Sequence, residues 1–576
     1  MDSFLDKKWW KEAVGYQIYI KSFYDSNGDG IGDINGIIEK LDYLKDLGVN
    51  LLWICPFYKS PMDDNGYDVS NYYEIASEFG TLDDAKRMIK EAHQRGIKII
   101  ADFVMNQTSD EHPWFIESRK SIDNPFRDYY IWQKGRMIDG VEVEPTNWAS
   151  FFGGSCWQKD DLTNEYYMKI FSKKMPDLNW ANPKVRQGMQ DIAKFWLDLG
   201  VDGFRVDAVA HIARSDVYED STMISDEKYK PDWRKFSNLP ALHDYLREFN
   251  QNILSQYDVM TVGEVGGGAR PSEALEYAGL NREELNMVFN FDHNWCNNVW
   301  DMKNPDDKVE VKLDHLKDMF EKWQINLYGK AWNPLYWLNH DHPRLMSHYG
   351  NIEKPFLSGS MLAIAMYFMW GTPFIYQGEE IGMTNYPFKR ISDFNDVSVK
   401  TTYELEREKG NVDLERFIGF TALKSRDNSR TPMQWRNSIH GGFSSQEPWF
   451  HINPNYVTIN VEDQLKDKKS LLNFYKQVIK LRQDKTFKST LVYGTYELIE
   501  KANEDVYAYV RTSDQTILVV CNFFDKETSI NLSDYIIKKV LLSNYQDSPK
   551  DLGLLTLRQY ESYVFLVENK GGKHVK

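Results

Sequence analysis

Acidic side chains stand at the ends of several short apolar segments, where they could take part in acid–base chemistry. Asp207 ends the stretch "GFRVD", Glu264 ends "VMTVGE" and Asp341 follows "LYWLNH". Glycoside hydrolysis uses one carboxylic acid to protonate the leaving oxygen and a second carboxylate to meet the oxocarbenium-like carbon. No HExxH helix or Ser–His pair indicates a competing mechanism. The acidic residues therefore predict a site that cleaves glycosidic bonds.

Eight strand-like segments could position these residues. The amphipathic segments between them carry helix start signals: Thr81 precedes one helix with Asp83 and Asp84 in its first turn, and Asn182 with Pro183 opens another. Buried strands that alternate with helices predict a parallel sheet, and eight such units predict an α/β fold, the (β/α)8 TIM barrel, with reactive residues at the strand ends. The strand candidates are "GYQIYIKSF", "VNLLWICPF", "IKIIADFVMN", "VDGFRVDAV", "DVMTVGEV", "LNMVFNFDH", "LYWLNHDHP" and "TPFIYQGEEIG".

Two segments interrupt this pattern and predict additional domains. Residues 106–175 follow the third strand, are rich in Trp, Tyr and Asp and lack helical periodicity, so we expect an inserted lid subdomain over the barrel mouth. After about residue 495 the chain shows short alternating strands separated by turns, which predict a C-terminal antiparallel β-sandwich domain at 496–576. The barrel is then assigned to residues 1–105 and 176–495.

Composition argues against several classes of protein. The 576 residues carry a formal net charge of −16 and no long basic run, so no nucleic-acid partner is expected. The four cysteines, at positions 55, 156, 296 and 521, lie far apart without metal-ligand spacing, which disfavours a zinc site or a disulfide framework. The N-terminus has no signal-peptide core and no apolar run reaches the roughly 20 residues of a membrane helix, so we expect no membrane partner and a cytoplasmic location.

A loop near the N-terminus is similar to the start of a calcium-binding loop. The stretch "DSNGDGIGD" places Asp or Asn at every second position before a glycine. An EF-hand also needs a Glu at its twelfth position and a helix on each side, but the twelfth residue from Asp25 is Gly36 and the preceding segment is strand-like. The loop is therefore no calcium sensor, and a polar turn without an ion stays an alternative here.

Several motifs closely resemble the sequence regions of glycoside hydrolase family 13, the alpha-amylase superfamily. "DFVMNQTSDEH", "GFRVDAV", "GEV" and "NHDHPR" occur in that family's order, and "GTPFIYQGEEIGMTN" and "SRDNSRTPMQW" look like the branch that contains oligo-1,6-glucosidases and exo-acting alpha-glucosidases. The resemblance covers nearly the whole chain. It implies a retaining mechanism in which Asp207 is the nucleophile, Glu264 is the general acid and then the base, and Asp341 grips the sugar hydroxyls and stabilises the transition state.

The same resemblance implies a set of metal and substrate residues. A single structural calcium ion, or magnesium in a tight cage, would be held by Asp25, Asn27, Asp29, the Ile31 carbonyl and Asp33. The terminal glucose would be held by Asp68, Tyr67, Gln107, Phe171, Arg205, His340 and Arg430. Gln107 stands where the family has a sugar-binding His, and Met175 replaces a Gln of the alpha-glucosidases. Gln107 donates a hydrogen bond but carries no charge, and Met175 lacks the polar group of the Gln that it replaces. Both departures can therefore change the preferred sugar.

The catalytic assignment has physical consequences. Arg205 precedes Asp207 by two residues on the same strand, so both face the same side and we expect Arg205 to lower the pKa of Asp207. Glu264 must hold a proton near neutral pH, which the negative charges of Asp207 and Asp341 favour. A retaining enzyme also requires the Asp207 and Glu264 carboxyls to lie about 5–5.5 Å apart.

The sequence favours a retaining, exo-acting alpha-glucosidase that releases terminal glucose from short alpha-glucosides. By resemblance, Ala at the position of Ala208, directly after the nucleophile, accompanies alpha-1,4 specificity, whereas Val there accompanies alpha-1,6 specificity. We therefore expect a small oligosaccharide or disaccharide substrate with alpha-1,4 linkages, and a monomer or weak homodimer.

Other activities stay open at this stage. The chain resembles oligo-1,6-glucosidases, and a trehalose-6-phosphate hydrolase could draw a basic site from Lys169, Lys173 and Lys174. No RLDRD-type loop lies between Glu264 and Asp341, which weighs against a sucrose isomerase. A non-catalytic relative of the transporter heavy chains would carry a membrane helix, and the long predicted lid disfavours an endo-acting alpha-amylase.

Overall fold

The computed structural model describes residues 4–266, 268–299, 309–410 and 413–570. Its central sheet consists of β1 (Gly15–Ile18), β2 (Leu51–Ile54), β3 (Lys98–Val104), β4 (Gly203–Asp207), β5 (Met260–Glu264), β6 (Met287–Phe289), β7 (Pro334–Tyr336) and β8 (Thr372–Tyr376). The strands pair in parallel in the order β6-β5-β4-β3-β2-β1-β8-β7. A parallel bridge from Met287 to Trp332, just before β7, closes the sheet into a barrel. The predicted (β/α)8 barrel and its eight strands are confirmed.

The barrel strands are buried because helices cover the outside of the sheet. Every residue of β1, β2, β4 and β8 is buried. Continuous apolar strands of this kind are typical of parallel sheets that are covered on both faces. Polar residues are nevertheless present toward the carboxyl ends of β3 and β4, namely Asp102, Arg205 and Asp207. These strand ends mark the face of the barrel where chemistry is possible.

In the part of the chain that the structure describes, eight helices form the outer layer: α1 (Ile34–Leu47), α2 (Leu82–Gln94), α3 (Pro183–Asp198), α4 (Ala241–Asn252), α5 (Pro271–Ala278), α6 (Leu313–Leu327), α7 (Pro355–Tyr367) and α8 (Leu471–Gln483). Thr81 and Asp84 form a capping box at the start of α2, and Gly96 beyond its end has a φ angle of 75°. Helix α8 packs against both α7 and α1, so the ring closes. Within the described ranges, no helix combines the length and apolarity needed to cross a membrane.

The segment between β3 and α3, which we call the lid (residues 106–175), has its own small core. It contains the helix Pro113–Ser118, an antiparallel sheet of Trp132–Gln133, Glu165–Met168 and Trp157–Asp160, and a hairpin of Arg136–Ile138 and Val141–Val143. Trp148, Cys156 and Met168 belong to a hydrophobic cluster separate from that of the barrel. Single antiparallel bridges, Gln107–Asp177 and Tyr130–Leu178, connect the lid to the chain that leads into α3.

The alternation of strands and helices in the sequence did not predict several helical segments that lie between the barrel elements. They are Leu345–His348, Val397–Lys409, Leu414–Lys424, Asp427–Arg430 and Val461–Lys466. The two longest pack against each other and bury few side chains, chiefly Val399, Phe420 and Thr421. Such weakly amphipathic helices are hard to recognise from hydrophobic periodicity.

The C-terminal part is antiparallel, as predicted. Five strands form one sheet in the spatial order Thr495–Ile499, Val506–Thr512, Thr516–Asn522, Ser562–Asn569 and Tyr535–Ser543, and a second sheet pairs Thr528–Asn531 with Leu554–Leu557. Val506, Leu518 and Phe565 contribute to the hydrophobic cluster of this part. It contacts the barrel through α7, where the Tyr509 hydroxyl donates to the Ala365 carbonyl at 3.1 Å.

Candidate active site

A cavity of about 940 Å³ lies at the carboxyl ends of the barrel strands. Asp207 is the last residue of β4, Glu264 is the last residue of β5, and Asp341 follows β7. All three side chains line this cavity, so the structure brings the predicted catalytic residues together. The lid supplies part of the wall through Phe151, Phe152, Phe171 and Met175.

Arg205 lies behind the catalytic carboxylates and contacts two of them. Its Nη1 donates to Asp207 Oδ1 at 2.6 Å and to Asp102 Oδ1 at 2.9 Å, and its Nη2 donates to Glu264 Oε2. Side chains two residues apart on a strand share a face, which brings Arg205 beside Asp207. Arg205 does not line the cavity. This position does not support the predicted contact with the sugar, because the guanidinium group holds the carboxylates instead.

Burial dominates the ionisation of Asp207 and Glu264. Desolvation raises the pKa of Asp207 well above its ordinary value, and Arg205 opposes this rise without cancelling it. Our expectation of a lowered pKa for Asp207 is therefore wrong. Burial also raises the pKa of Glu264, again against the lowering effect of Arg205. The two buried carboxyls titrate as a pair and keep a proton above the ordinary carboxyl range, which is the proton that a general acid needs.

Asp341 is the ionised member of the three acids. Burial opposes its negative charge, but the neighbouring Nε2–H group of His340 and the guanidinium groups of Arg426 and Arg430 outweigh burial and hold the pKa of Asp341 well below its usual range. Arg430 Nη2 donates to Asp341 Oδ1 at 3.0 Å, and Arg426 Nη1 donates to the same oxygen at 3.2 Å. Asp341 thus presents a permanent hydrogen-bond acceptor to the cavity.

Tyr67 and His340, which were both predicted to hold the terminal glucose, lie side by side on the cavity wall. Their rings stack with centroids 5.2 Å apart and planes 4° apart. The Gln17 amide donates to His340 Nδ1 at 2.8 Å, so the proton of the ring is on Nε2, which lies 3.2 Å from Asp341 Oδ2. Burial lowers the pKa of His340 well below its ordinary value, so the ring is neutral. His340 therefore presents a fixed N–H group.

Gln107 and Phe171 also line the cavity, together with Met175. The Gln107 amide is held at both ends: its Oε1 accepts from Asn106 Nδ2 at 3.0 Å, and its Nε2 donates to the Tyr67 carbonyl at 3.1 Å. One N–H of the amide stays available for another acceptor. The Phe171 ring stacks with that of Phe151 at 5.5 Å, so an apolar wall lies near this polar group.

Two predicted sugar contacts lie behind the cavity surface. Asp68 is fully buried, whereas Asp64, four residues earlier, lines the cavity. Arg430 is buried against Asp341, and the guanidinium group that lines the cavity is that of Arg426. The cavity lining therefore favours Asp64 and Arg426 over Asp68 and Arg430 as the residues that reach a bound sugar, and the sugar contacts themselves stay predictions. The motifs "DDNGYD" and "SRDNSR" each contain both candidates, and residue type alone does not distinguish them.

Other cavity residues were not predicted. His211 lies four residues after Asp207, which was the available signal. Its Nδ1 lies 2.9 Å from Ser237 Oγ, and burial lowers its pKa to about 3, so the ring is neutral. Asp396 also lines the cavity and pairs with Arg426 at 2.7 Å. The wall further includes the aromatic side chains of Phe152, Trp233, Phe291 and Trp295.

The N-terminal loop offers oxygen ligands without forming an acidic cluster. Asp25 Oδ1 accepts from the Asn27 backbone N–H at 3.1 Å, and Asp33 caps α1 by accepting from the Gly36 N–H at 2.6 Å. Across the described parts of the chain, no three His, Cys, Asp or Glu side chains are grouped as metal ligands. The predicted donor set, with Asp29 and the Ile31 carbonyl, consists of the hard oxygens that calcium prefers. Calcium binding stays a prediction.

The lysines considered for a phosphate site do not line the cavity. Lys174 pairs with Asp110 at 2.8 Å, and Lys169 is largely buried, which lowers its pKa to about 8. Lys173 is exposed elsewhere on the surface, whereas Lys424 lines the cavity. The three lysines that could have supplied a basic site for trehalose 6-phosphate therefore do not reach the cavity wall.

Comparison with known families agrees with this arrangement. Residues 17–494 match the alpha amylase catalytic domain, and residues 496–564 match the C-terminal domain of maltogenic amylase. The chain belongs to the alpha-amylase family. It is therefore a glycoside hydrolase of family 13, and the resemblance seen in its motifs is confirmed.

Known relatives are similar to this alpha-amylase family member over their full length. The oligo-1,6-glucosidase of Parageobacillus thermoglucosidasius is 48% identical, with 98% of this chain and 100% of the relative covered. The oligo-1,6-glucosidase of Bacillus cereus is 46% identical, with 97% and 100% covered. The trehalose-6-phosphate hydrolase of Bacillus subtilis is 41% identical, with 97% and 98% covered. Relatives with different named substrates thus share the whole architecture.

Solved structures of this family show the same fold. The isomaltulose synthase SmuA from Protaminobacter rubrum superposes with a TM-score of 0.92 at 41% identity, over 98% of this chain and 100% of that one. The trehalose-6-phosphate hydrolase of Bacillus licheniformis gives a TM-score of 0.88 at 39% identity, again over 98% and 100%. The fold alone therefore does not select one sugar substrate.

Proposed function

We propose that the protein is a retaining, exo-acting alpha-glucosidase that releases terminal glucose from short alpha-glucosides, with alpha-1,4 linkages favoured. The observation that carries this proposal is the Arg205 bridge between Asp207 and Glu264 in a cavity that also presents ionised Asp341. Two carboxylates on one guanidinium group support the short separation, about 5–5.5 Å, that a double displacement uses.

The proposed reaction has two steps. Glu264 first donates its proton to the glycosidic oxygen while Asp207 attacks the anomeric carbon, so that the bond to the leaving group breaks and a glycosyl ester forms on Asp207. In the second step the Glu264 carboxylate takes a proton from water, and the water oxygen displaces Asp207 from the anomeric carbon. The free Asp207 carboxylate and protonated Glu264 are restored. Two inversions retain the alpha configuration.

The inner end of the cavity supports cleavage of the bond to the terminal sugar of the substrate. Asp64, Tyr67 and His340 line it, and each of these residues is at most 5% exposed. Arg426 donates to Asp64 Oδ1 at 2.9 Å and to Asp341 Oδ1 at 3.2 Å, so it connects the two carboxylates across this region. We infer that these buried, mutually paired groups accommodate a terminal sugar and exclude a chain that continues beyond it. The cavity volume of about 940 Å³ suits a short oligosaccharide.

Ala208 supports the alpha-1,4 preference. It directly follows Asp207, lines the cavity and has a left-handed φ of 46°. Its methyl group leaves more room beside the scissile bond than the Val that accompanies alpha-1,6 specificity in the resembling branch.

Cleavage of alpha-1,6 linkages is the second candidate. The relatives at 46–48% identity are named oligo-1,6-glucosidases, which favours it independently of Ala208. Cleavage of trehalose 6-phosphate has support from a relative at 41% identity, but Lys169, Lys173 and Lys174 lie away from the cavity.

The test is glucose release from maltose, isomaltose, sucrose, trehalose 6-phosphate and p-nitrophenyl alpha-glucoside, with the Asp207→Asn protein as the blank. We expect the wild type to cleave maltose faster than isomaltose. Ala208→Val should shift the ratio of the two kcat/KM values toward isomaltose by about tenfold, the effect of one or two methyl groups in a binding pocket. Faster cleavage of isomaltose by the wild type would replace the alpha-1,4 assignment. No release from any of the five would contradict the proposed function.

A further inference from the structure

Residues 60–68, which we call the cavity loop, carry Asp64 to the cavity through an unusual backbone. The loop lies between the short strands Tyr58–Lys59 and Asn71–Ile75. Met62 and Asn65 have positive φ angles of 65° and 50°. Left-handed backbone is unfavourable for residues other than glycine, so surrounding contacts must hold it in place. The position of Asp64 therefore depends on whatever fixes this loop.

Asp68 supplies such contacts from the end of the cavity loop. Its Oδ1 accepts from the Asp64 backbone N–H at 3.1 Å and from the Ser60 hydroxyl at 3.0 Å, and its Oδ2 accepts from the Asp63 backbone N–H at 2.8 Å. Asp68 is fully buried and does not line the cavity. Only a carboxylate accepts at both oxygens, because an amide would turn an NH₂ group toward one of these donors.

Asp64 occupies a place where a small displacement matters. Its Oδ1 accepts from Arg426 at 2.9 Å and lies 3.8 Å from Arg430 Nη1. Both guanidinium groups also contact Asp341. A shift of Asp64 would therefore change the wall that faces the sugar and the charge balance around the third catalytic carboxylate.

We infer that Asp68 is a positioning residue that acts through Asp64: it fixes the backbone of the cavity loop so that the Asp64 carboxylate meets Arg426 and the sugar in one geometry. Asp68 itself does not touch substrate. The inference rests on the proposed function only in using p-nitrophenyl alpha-glucoside as the kinetic probe.

A double-mutant cycle tests this inference. The variants are Asp68→Asn, Asp64→Ala and the combination of the two, each measured for kcat, KM and melting temperature. Asp68→Asn should lower kcat/KM by about 10- to 100-fold, as expected when a binding group moves by about 1 Å. In the Asp64→Ala background the same substitution should lower kcat/KM by less than about threefold, because the two residues act as one unit. Its effect on melting temperature should be the same in both backgrounds.

Ser60→Ala is the matched control. It removes the Ser60 hydroxyl, which donates to Asp68 and accepts from the Met62 backbone N–H at 2.9 Å, but leaves both backbone N–H bonds to Asp68 in place, so kcat/KM should stay within about threefold of the wild type. Equal losses from Asp68→Asn in both backgrounds, or wild-type kinetics for Asp68→Asn, would overturn the inference. If Asp68→Asn does not fold, Asp68→Glu takes its place in the cycle, because it keeps two acceptor oxygens at a displaced position.

A crystal structure of the Asp68→Asn protein gives a readout that is independent of turnover. The Asp64 carboxylate should move by about 1 Å or more from its place beside Arg426. An unmoved Asp64 would contradict the inference even if activity is lost. A wild-type enzyme without turnover would count against the proposed function, and the displacement of Asp64 would then decide the inference alone.

Discussion

Arg205 donates from Nη1 to Asp207 Oδ1 at 2.6 Å, from a position two residues earlier on β4. Its other terminal nitrogen contacts Glu264, which ends the neighbouring strand β5. The two nitrogens belong to one rigid, planar group, so the separation of the two carboxylates is tied to the geometry of a single side chain. This relationship makes Arg205 a residue whose shape matters as much as its charge.

Arg205→Lys should lower kcat by about 10²–10³-fold, because a lysine ammonium keeps the charge but cannot bridge two carboxylates as a planar fork. Steady-state kinetics on p-nitrophenyl alpha-glucoside measure the effect, and circular dichroism checks that the variant is folded. A kcat within threefold of the wild type would show that charge alone is sufficient at this position.

Asp207→Asn should lower turnover by about 10⁴-fold or more while the protein stays folded, because the amide cannot form the glycosyl ester. In the wild type, proton NMR of the first product should show alpha-glucose before mutarotation. Beta-glucose as the first product would contradict the retaining mechanism, and normal turnover by Asp207→Asn would remove Asp207 from the role of nucleophile.

The pH dependence of kcat/KM should reflect the proton kept by Asp207 and Glu264. Because burial raises the pKa of both groups, the protonated pair persists to higher pH than an ordinary carboxyl, and activity should fall on the alkaline side when that proton is lost. Glu264→Gln should lack this alkaline limb, since an amide does not titrate. Its residual activity is measurable on p-nitrophenyl alpha-glucoside, whose leaving group needs little protonation. A retained alkaline limb in Glu264→Gln would assign it to another group.

Glu379 should make stability depend on pH. It is buried and accepts a hydrogen bond from Tyr475 at 2.9 Å and another from Tyr367, and burial raises its pKa to about 8 from an ordinary 4.5. Protonated Glu379 stabilises the folded state. This contribution to the free energy of unfolding is complete below pH 4.5 and is lost as the pH rises to 8, a change of about 5 kcal/mol in all. Urea unfolding at several pH values should show that Glu379→Gln removes this loss relative to the wild type. Parallel pH profiles for the two proteins would contradict the prediction.

Calcium should raise the melting temperature if the N-terminal loop binds it, because a ligand that binds only the folded state stabilises it by about 2.7 kcal/mol at 100 times Kd. The comparison is thermal denaturation with added calcium and with a chelator. Asp29→Ala is the matched variant, since the exposed Asp29 side chain accepts a bond from the nearby Ile31 N–H, at 2.9 Å, and caps no helix. Equal melting temperatures with calcium and with chelator would remove the metal assignment.

The barrel and the catalytic acids could be predicted because both depend on local patterns. Each barrel strand is a short apolar run, and Asp207 and Glu264 end their strands, so the parallel arrangement alone brings them to one face. The twofold period of a strand likewise placed Arg205 beside Asp207.

The choice between Asp64 and Asp68 could not be predicted, because it depends on tertiary contacts. The loop that carries both carboxylates has left-handed backbone at Met62 and Asn65, and in the folded structure Asp64 lines the cavity whereas Asp68 does not. The direction of the pKa shift at Asp207 was predicted wrongly for a related reason. The favourable effect of Arg205 is visible in the sequence, whereas the larger effect of burial arises only when the lid and loops cover the site.

The closure of the barrel joins distant parts of the chain: β1 pairs with β8 in a register that sets Gly15 against Phe374. During translation, therefore, β1 leaves the ribosome with one edge unpaired and must wait for β8 to be synthesised. At about 5–20 residues per second this wait lasts roughly 20–75 s. A strand edge that stays exposed for this time is a template for pairing with another chain. Dilution or chaperones must therefore keep nascent chains apart until the last barrel strand emerges.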